Sequence, residues 1–487
     1  MKKDLNDKRV IIVILSFFVI LFLIAFNNYQ ISLAIEQDNS IIDSYNMASL
    51  VNASIANANY YTITNATTPS VITDDRTGNS YVVYFRGENN GANVYIQRSN
   101  DNGKTFSDPV RINDIEDSVQ LDAQWSPPAV GIGTNSELYV VWYNADHSNP
   151  DKFPYGQVTL RFAKSTDGGK TFGPAINLSP NDPAGEQSYP FMAVSKDNRI
   201  FISYLNVDYS QKDNNAGTPT VVRVVSSSDG GKTFGNSSIT DKSACQCCAT
   251  VVAIGPDNEI YTSSRSAFKN VSMTLENDTR TEYQKEDKDI AVIRDVTVEH
   301  STDGGIGKKF TDPVPVNNDK WFMNGCPDAG PGMDFDNTGK LHIAWFTGSE
   351  TAPQGQGFYY AHSTDKGITF SEPIPIHLLS EQWIPPTTQY LVTDNHDNSW
   401  IVFVNSEGLK KSANYEEDFS YVGNGMVNLA VIDKDGNIIR NGALVSGDIT
   451  KHYPYTSSAN NKIVISWIDG DDVKLAFIEI TPKNDSL

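Results

Sequence analysis

All four cysteines of this chain stand at two points, the segment CQCC (Cys245, Cys247, Cys248) and a later GCP turn holding Cys326. Two arginines lie between them, Arg265 in SSRSAF and Arg294 in VIRD, where Asp295 follows directly. The segment KWFMNGCPDAGPGM adds Trp321 and Asp328. Guanidinium groups stay charged and grip carboxylate or phosphate through a two-point fork, so Arg265 and Arg294 are candidate anion ligands. Pairing with Asp295 and Asp328 is their competing use. Trp321 offers a flat face on which a sugar ring stacks. For the cysteines the reading taken is two disulfides, at least one of them crossing to Cys326, because an exported chain with an even cysteine count usually pairs them. Cys247 and Cys248 are adjacent, which strains their pairing with each other. Three thiolates from one strand start and one from the next would also suit copper or zinc, and free or redox-active thiols are the third reading. The spacing is not that of a zinc ribbon and no histidine stands beside it, so no metal and no cofactor is assigned.

The elements that carry these residues follow from a repeat. Five copies of one short pattern recur: SNDNGKTF from Ser99, STDGGKTF from Ser165, SSDGGKTF from Ser227, STDGGIGKKF from Ser301 and STDKGITF from Ser363. Their starts are 66, 62, 74 and 62 residues apart. A repeat of this length with alternating apolar residues predicts one small antiparallel sheet per unit and hence an all-β β-propeller. The pattern reads as a hairpin turn in which Asp101, Asp167, Asp229, Asp303 and Asp365 accept backbone N–H groups while the next glycine supplies a positive φ. These carboxylates are structural, since chemistry needs no five-fold copying.

Second strands are predicted at Tyr81, Leu138, Ile200, Ile260, Leu341, Trp400 and Ile463, which makes seven units. The last unit lacks its outer strand, and YYTIT from Tyr60 is expected to supply it, closing the ring and covering a sheet edge. Strand direction puts the connections between second and third strands on one upper face and the repeated turns on the lower. The residues opening the first strands share that upper face: Gln124, Trp125, Tyr189, Cys247, Cys326, Trp383, His452 and Tyr453. Aromatic residues there either receive a ligand or plug the axis. Insertions at 144–156, 206–217, 266–289, 347–357 and 405–424 fall on the same face, where recognition is expected.

The net charge is -21 over 487 residues, and a surface this acidic repels phosphate, so nucleic acid is excluded as a partner. Residues 1–9 form a basic tail and residues 10–26 an apolar run, read as a single transmembrane anchor with the propeller outside. Secretion after signal cleavage, with Ser32 and Ala34 near the cut, is the alternative. Residues 27–58 read as a flexible stalk, 59–482 as the propeller and 483–487 as a tail. Seven Asn-x-Ser/Thr sequons suit an exported surface.

The repeated turn resembles the Asp box of the sialidase superfamily. Residues 245–345 further resemble a subgroup of exported Asp-box propellers sharing the CxCC segment, paired arginines and the GCP turn. The resemblance implies a sialidase-like propeller, with six blades in sialidases against the seven units counted here. It also implies a glycan-directed function, an exo-glycosidase of sialidase type, with three arginines on a sugar carboxylate. The early Arg-Ile-Pro segment of sialidases is absent; Arg86 in YFRG is the only early candidate, and no catalytic Tyr and Glu match by motif. The expectation is therefore a membrane-anchored propeller acting on acidic glycans. A non-catalytic module binding surface glycans or cell-surface proteins is the alternative.

Overall fold

The computed structural model describes residues 41–480, apart from 89–90, 120–126, 150, 152, 154–155, 184, 209–219, 268–291, 304–305, 324–327, 380–388, 412–420, 448, 450–453 and 460. Each sequence unit becomes four antiparallel strands. In unit four these are Val251–Ile254, Ile260–Arg265, Val296–His300 and Val314–Pro315. Five such sheets stand separately; those of units two and three are joined into one eight-stranded sheet, where Glu186 pairs in parallel with Val158. The architecture is an all-β β-propeller. All seven predicted second strands are central strands of their sheets, and several, such as Ile200–Val207 and Leu341–Thr347, are buried along their whole length. A central strand packed on both faces reads as a continuous apolar run rather than as a strict alternation.

The final sheet takes a strand from each end of the described chain. Asn59–Ile63 pairs antiparallel with Asp472–Glu479, Tyr60 opposite Ala476, as the missing outer strand required. Arg86 donates to the carbonyls of Asn65 and Thr64 at 3.0 and 3.3 Å, tying unit one to this closure.

On the lower face the repeated turns share one hydrogen-bond scheme. Asp101 accepts the amide and hydroxyl of Thr105 at 2.9 and 2.5 Å, and Asp167 those of Thr171 at 3.0 and 2.6 Å. Asp229 and Asp365 do the same with Thr233 and Thr369, whereas Asp303 in the longer copy accepts three amides, from Gly307, Lys308 and Lys309. The threonine hydroxyl, followed by its amide, holds the Asp101 and Asp167 carboxyls down at about 2. These groups are consumed by their own turns.

One expectation changes at the N-terminus. Part of the predicted stalk is ordered: residues 41–56 form an α-helix. Its Met47, Leu50, Val51 and Ile55 recur at helical spacing and pack on Trp400, Trp467 and Ile478 between the last two units. The remainder of the stalk, and the apolar run 10–26, lie outside the described residues. Among the described residues no helix is long and apolar enough to cross a membrane.

The axis is filled by aromatic rings from three first strands. Tyr390 and Tyr455 lie 4.3 Å apart, and Phe191 stacks on both at 6.2 Å. Where these rings meet, the first strands pack on one another rather than leaving an open space.

Candidate functional site

The register of unit four assembles the candidate residues at one end of its sheet. Arg265, last in its strand, lies opposite Val296, with Arg294 and Asp295 just before. The CQCC segment crosses this end, because Ala244 bridges to Ser266 and the Cys245 amide donates to the Arg265 carbonyl at 2.8 Å. The Cys248 amide reaches back to the Cys245 carbonyl at 3.4 Å, so the two cysteines hold the first and fourth places of a tight turn. From unit five the chain presses onto this turn: a Cβ on Gly330 would lie 2.2 Å from the Ala249 carbonyl oxygen.

Arg265 does not serve as an anion ligand. It is 1% exposed, and its Nε, Nη1 and Nη2 donate to the carbonyls of Ala329, Arg294 and Phe346 at 2.9, 2.7 and 2.6 Å. Three carbonyls converge where units four and five meet, and a guanidinium is the side chain with enough donors to satisfy them all. Trp321 is likewise withdrawn from the surface. It is 4% exposed, its ring lies 4.8 Å from the Arg265 guanidinium carbon, and Gly348 packs so closely that a Cβ there would stand 2.6 Å from the indole. The expected stacking platform is instead a lid over the arginine.

Asp295 holds the chain rather than a ligand, accepting the amides of Lys320 and Trp321 at 3.0 Å each. Burial raises its carboxyl above the usual range, and those two amides pull in the opposite direction. Asp328 is buried with a left-handed φ of 51° and accepts the Tyr189 hydroxyl at 3.4 Å. Tyr189 is the one first-strand aromatic of the expected mouth that can be placed, and it too has a positive φ, 53°, at a bulge between Ser188 and Phe191. Gln124, Trp125, Cys326, Trp383, His452 and Tyr453 lie outside the described residues.

Arg294 behaves differently from Arg265. Its backbone amide donates to the Trp321 carbonyl at 2.8 Å, while its side chain is part-exposed and its Nε is buried without a partner among the described residues.

The cysteines do not form the two expected disulfides. Cys245 and Cys248 are free thiols, and Cys247 alone among the described cysteines is disulfide-bonded. The Cys245 sulfur lies 3.1 Å from that of Cys248 and 3.7 Å from that of Cys247, and all three sulfurs fall within 4.8 Å of one another, a set close enough to enclose a soft metal ion. Burial alone would raise the Cys245 thiol. The Cys248 thiol hydrogen bond, the Arg294 charge, the Cys247 amide and the Arg265 charge outweigh it and bring the group below the usual thiol range. Cys248 moves the other way, pushed up by burial and then by the neighbouring Cys245.

Two buried polar clusters escaped sequence reasoning. In unit four, Glu299 accepts the hydroxyls of Thr297 and Thr262 at 2.8 and 3.0 Å. Thr297 contacts Ser266, whose hydroxyl donates to Asp241 at 2.6 Å, so the chain of hydrogen bonds ends beneath the cysteine turn. Burial, and then the Asp241 charge, push the Glu299 carboxyl up to about 8. The signal was a glutamate inside the otherwise buried strand VTVEH. In units five and six, His342 joins Asp336 at 3.0 Å, Ser399 at 3.0 Å and Tyr360 at 2.6 Å. This has the composition of a serine nucleophile's relay, but Ser399 is 0% exposed and no substrate can reach it.

These features define the class as a β-propeller, with the described candidate residues gathered where units four and five meet. No family model matches the chain, and no curated protein does either. Solved structures do. A polysaccharide lyase, an ulvan lyase, is 12% identical with a TM-score of 0.51, over 86% of this chain and 95% of its own. A protein of unknown function from Dyadobacter fermentans is 12% identical over 87% of this chain and 99% of its own, with a TM-score of 0.43. A Hadza microbial sialidase is 15% identical over 70% and 63%, with a TM-score of 0.45. At such identities the likeness is one of fold.

Proposed function

We propose that this chain is an exported, sialidase-like propeller that binds acidic glycans at the mouth of units four and five. In this reading the eight-stranded sheet counts as two blades, giving seven, and the five repeated turns are Asp boxes. Residues 10–26 anchor the chain in the cell membrane with the propeller on the extracellular side. The observation that carries the reading is Arg294, a part-exposed guanidinium whose buried Nε has no partner among the described residues, in a protein of net charge -21. Its fork suits the carboxylate or sulfate of a sugar. A structural neighbour, the ulvan lyase, is known bound to -[GlcA(1-4)Rha3S]-, which supports the ligand class by fold analogy.

Binding without turnover is favoured over glycoside hydrolysis. Hydrolysis uses two carboxyl groups about 5–9.5 Å apart facing the substrate. Beside Arg294, Asp295 is committed to two amides, and Asp319 accepts the Trp345 indole N–H at 2.8 Å. The test is an array of uronic, sialic and sulfated oligosaccharides probed with the wild type, Arg294→Ala and Arg294→Lys, each glycan also being assayed for cleavage. Loss of a charged hydrogen bond costs roughly 1.5–3 kcal/mol, so Arg294→Ala should bind about tenfold or more weakly. Equal binding by both proteins, or no glycan bound at all, overturns the proposal; cleavage would move it to the exo-glycosidase class.

A further inference from the structure

The CQCC turn carries a second chemistry that owes nothing to glycans. Cys245 and Cys248 occupy the C-x-x-C places of a tight turn, both 1% exposed and both free, with sulfurs 3.1 Å apart. Cys247 is part-exposed and disulfide-bonded, and its sulfur stands 3.7 Å from that of Cys245. Cys245 is thus in contact with both a buried thiol and a disulfide sulfur. We infer that Cys245, Cys247 and Cys248 form a thiol–disulfide relay, in which Cys245 passes a disulfide between part-exposed Cys247 and buried Cys248 for exchange with organic thiols and disulfides outside.

The steps balance within the molecule. The Cys245 thiolate attacks the Cys247 sulfur, the bond between Cys247 and its disulfide partner breaks, and that partner leaves as a thiolate. Cys248 then attacks the Cys245 sulfur, forming the Cys245–Cys248 disulfide and releasing Cys247 as a thiolate. The two protons lost by Cys245 and Cys248 pass to the two leaving thiolates. One disulfide is consumed and one is made, so no external oxidant enters. Dithiol character has moved from the buried turn to the part-exposed position, where the released pair reduces an outside disulfide and becomes a disulfide again; two outside thiols that later reduce it, leaving as their own disulfide, restore the pair, which then reduces Cys245–Cys248 by the same steps in reverse.

The surroundings favour Cys245 as the attacking group. Arg294 and Arg265 both lie close enough to stabilise its thiolate, and the Cys247 amide donates to it. Cys248 donates its thiol hydrogen to the Cys245 sulfur at 3.1 Å, so it stands next to that sulfur once the first bond has formed. The chain of unit five packs directly on the exit of the turn, where a Cβ on Gly330 would lie 2.2 Å from the Ala249 carbonyl oxygen.

The experiment equilibrates the full chain in glutathione buffers of graded ratio, quenches with acid, alkylates, and maps each cysteine by mass spectrometry. Metal content is measured in the same samples, and folding is followed by circular dichroism. The expected result for the wild type is a Cys245–Cys248 disulfide that appears as Cys247 becomes alkylated, with the fold intact. Cys248→Ser should trap a Cys245–Cys247 disulfide, and Cys245→Ser should leave Cys248 reduced at all ratios while Cys247 still exchanges with glutathione. Three results overturn the relay: Cys245 and Cys248 both remaining thiols at all ratios in folded wild type, a Cys245–Cys248 disulfide that forms with no change at Cys247, or stoichiometric copper or zinc that holds the three sulfurs until denaturation. The wild-type titration decides alone if either variant fails to fold.

Discussion

Replacing Glu299 with glutamine should remove a pH dependence that the wild-type fold carries. The carboxyl is fully buried, and its folded value is pushed up from 4.5 to about 8. A group raised on folding contributes its full stability below the unfolded value and loses it as pH rises through the folded one, because the folded state retains a proton the unfolded state has released. The window therefore runs from about pH 4.5 to about pH 8. Each pH unit in it is worth about 1.36 kcal/mol, so the full interval of 3.5 amounts to about 5 kcal/mol lost on the alkaline side. Glutamine has nearly the shape of the protonated acid and keeps partners in Thr297 and Thr262. It carries one hydrogen more, which costs roughly 1–3 kcal/mol if unsatisfied, independent of pH. Urea denaturation of both proteins at half-unit steps from pH 4 to 9 gives the difference directly. The wild type should weaken relative to Glu299→Gln as pH rises, with the variant the more stable above about pH 8. Parallel curves would refute the reasoning, showing that Glu299 has no raised titration in the folded protein.

Arg265→Ala should destabilise the fold rather than merely weaken ligand binding, because three buried carbonyls lose a charged donor at roughly 1.5–3 kcal/mol each. Chemical denaturation should show a loss of more than about 3 kcal/mol, with Arg265→Lys recovering only part, since an ammonium cannot reproduce the planar fork. Deleting residues 58–66 should expose the Asp472–Glu479 edge and lower the melting temperature with aggregation; an unchanged melt would mean that the pairing of Tyr60 with Ala476 adds nothing.

The fold was legible because the same local physics is written into the chain repeatedly. The Ser99 and Ser165 turns need an aspartate, a glycine and a threonine at fixed places, and the runs from Leu138 and Ile200 are apolar because both faces of a central strand are covered. The helix at 41–56 was hidden by its asparagines and serines, which look like a linker by composition although Met47, Leu50, Val51 and Ile55 have helical spacing. At the site, position was readable and role was not. Arg265 and Trp321 do lie at the predicted end of unit four, but a sequence shows a charge and a ring without the three carbonyls that claim the one or the neighbours that bury the other. The cysteines were misread as two disulfides because an even count carries no distances; the tight turn at Cys245 and Cys248 leaves two of them as thiols. Glu299 is a tertiary effect of the same kind, an acid whose raised titration depends on burial and on Asp241 from the neighbouring unit.

The central claim, an anion site at Arg294 in the mouth of units four and five, is tested most directly by hydrogen exchange on the protein with and without an acidic oligosaccharide selected from the array. The account predicts slowed exchange at 245–249, 292–296 and 320–323, absent in Arg294→Ala, with the lower-face turns at Asp101 and Asp167 unchanged. Protection confined to the lower face, or equal protection in wild type and variant, would contradict it.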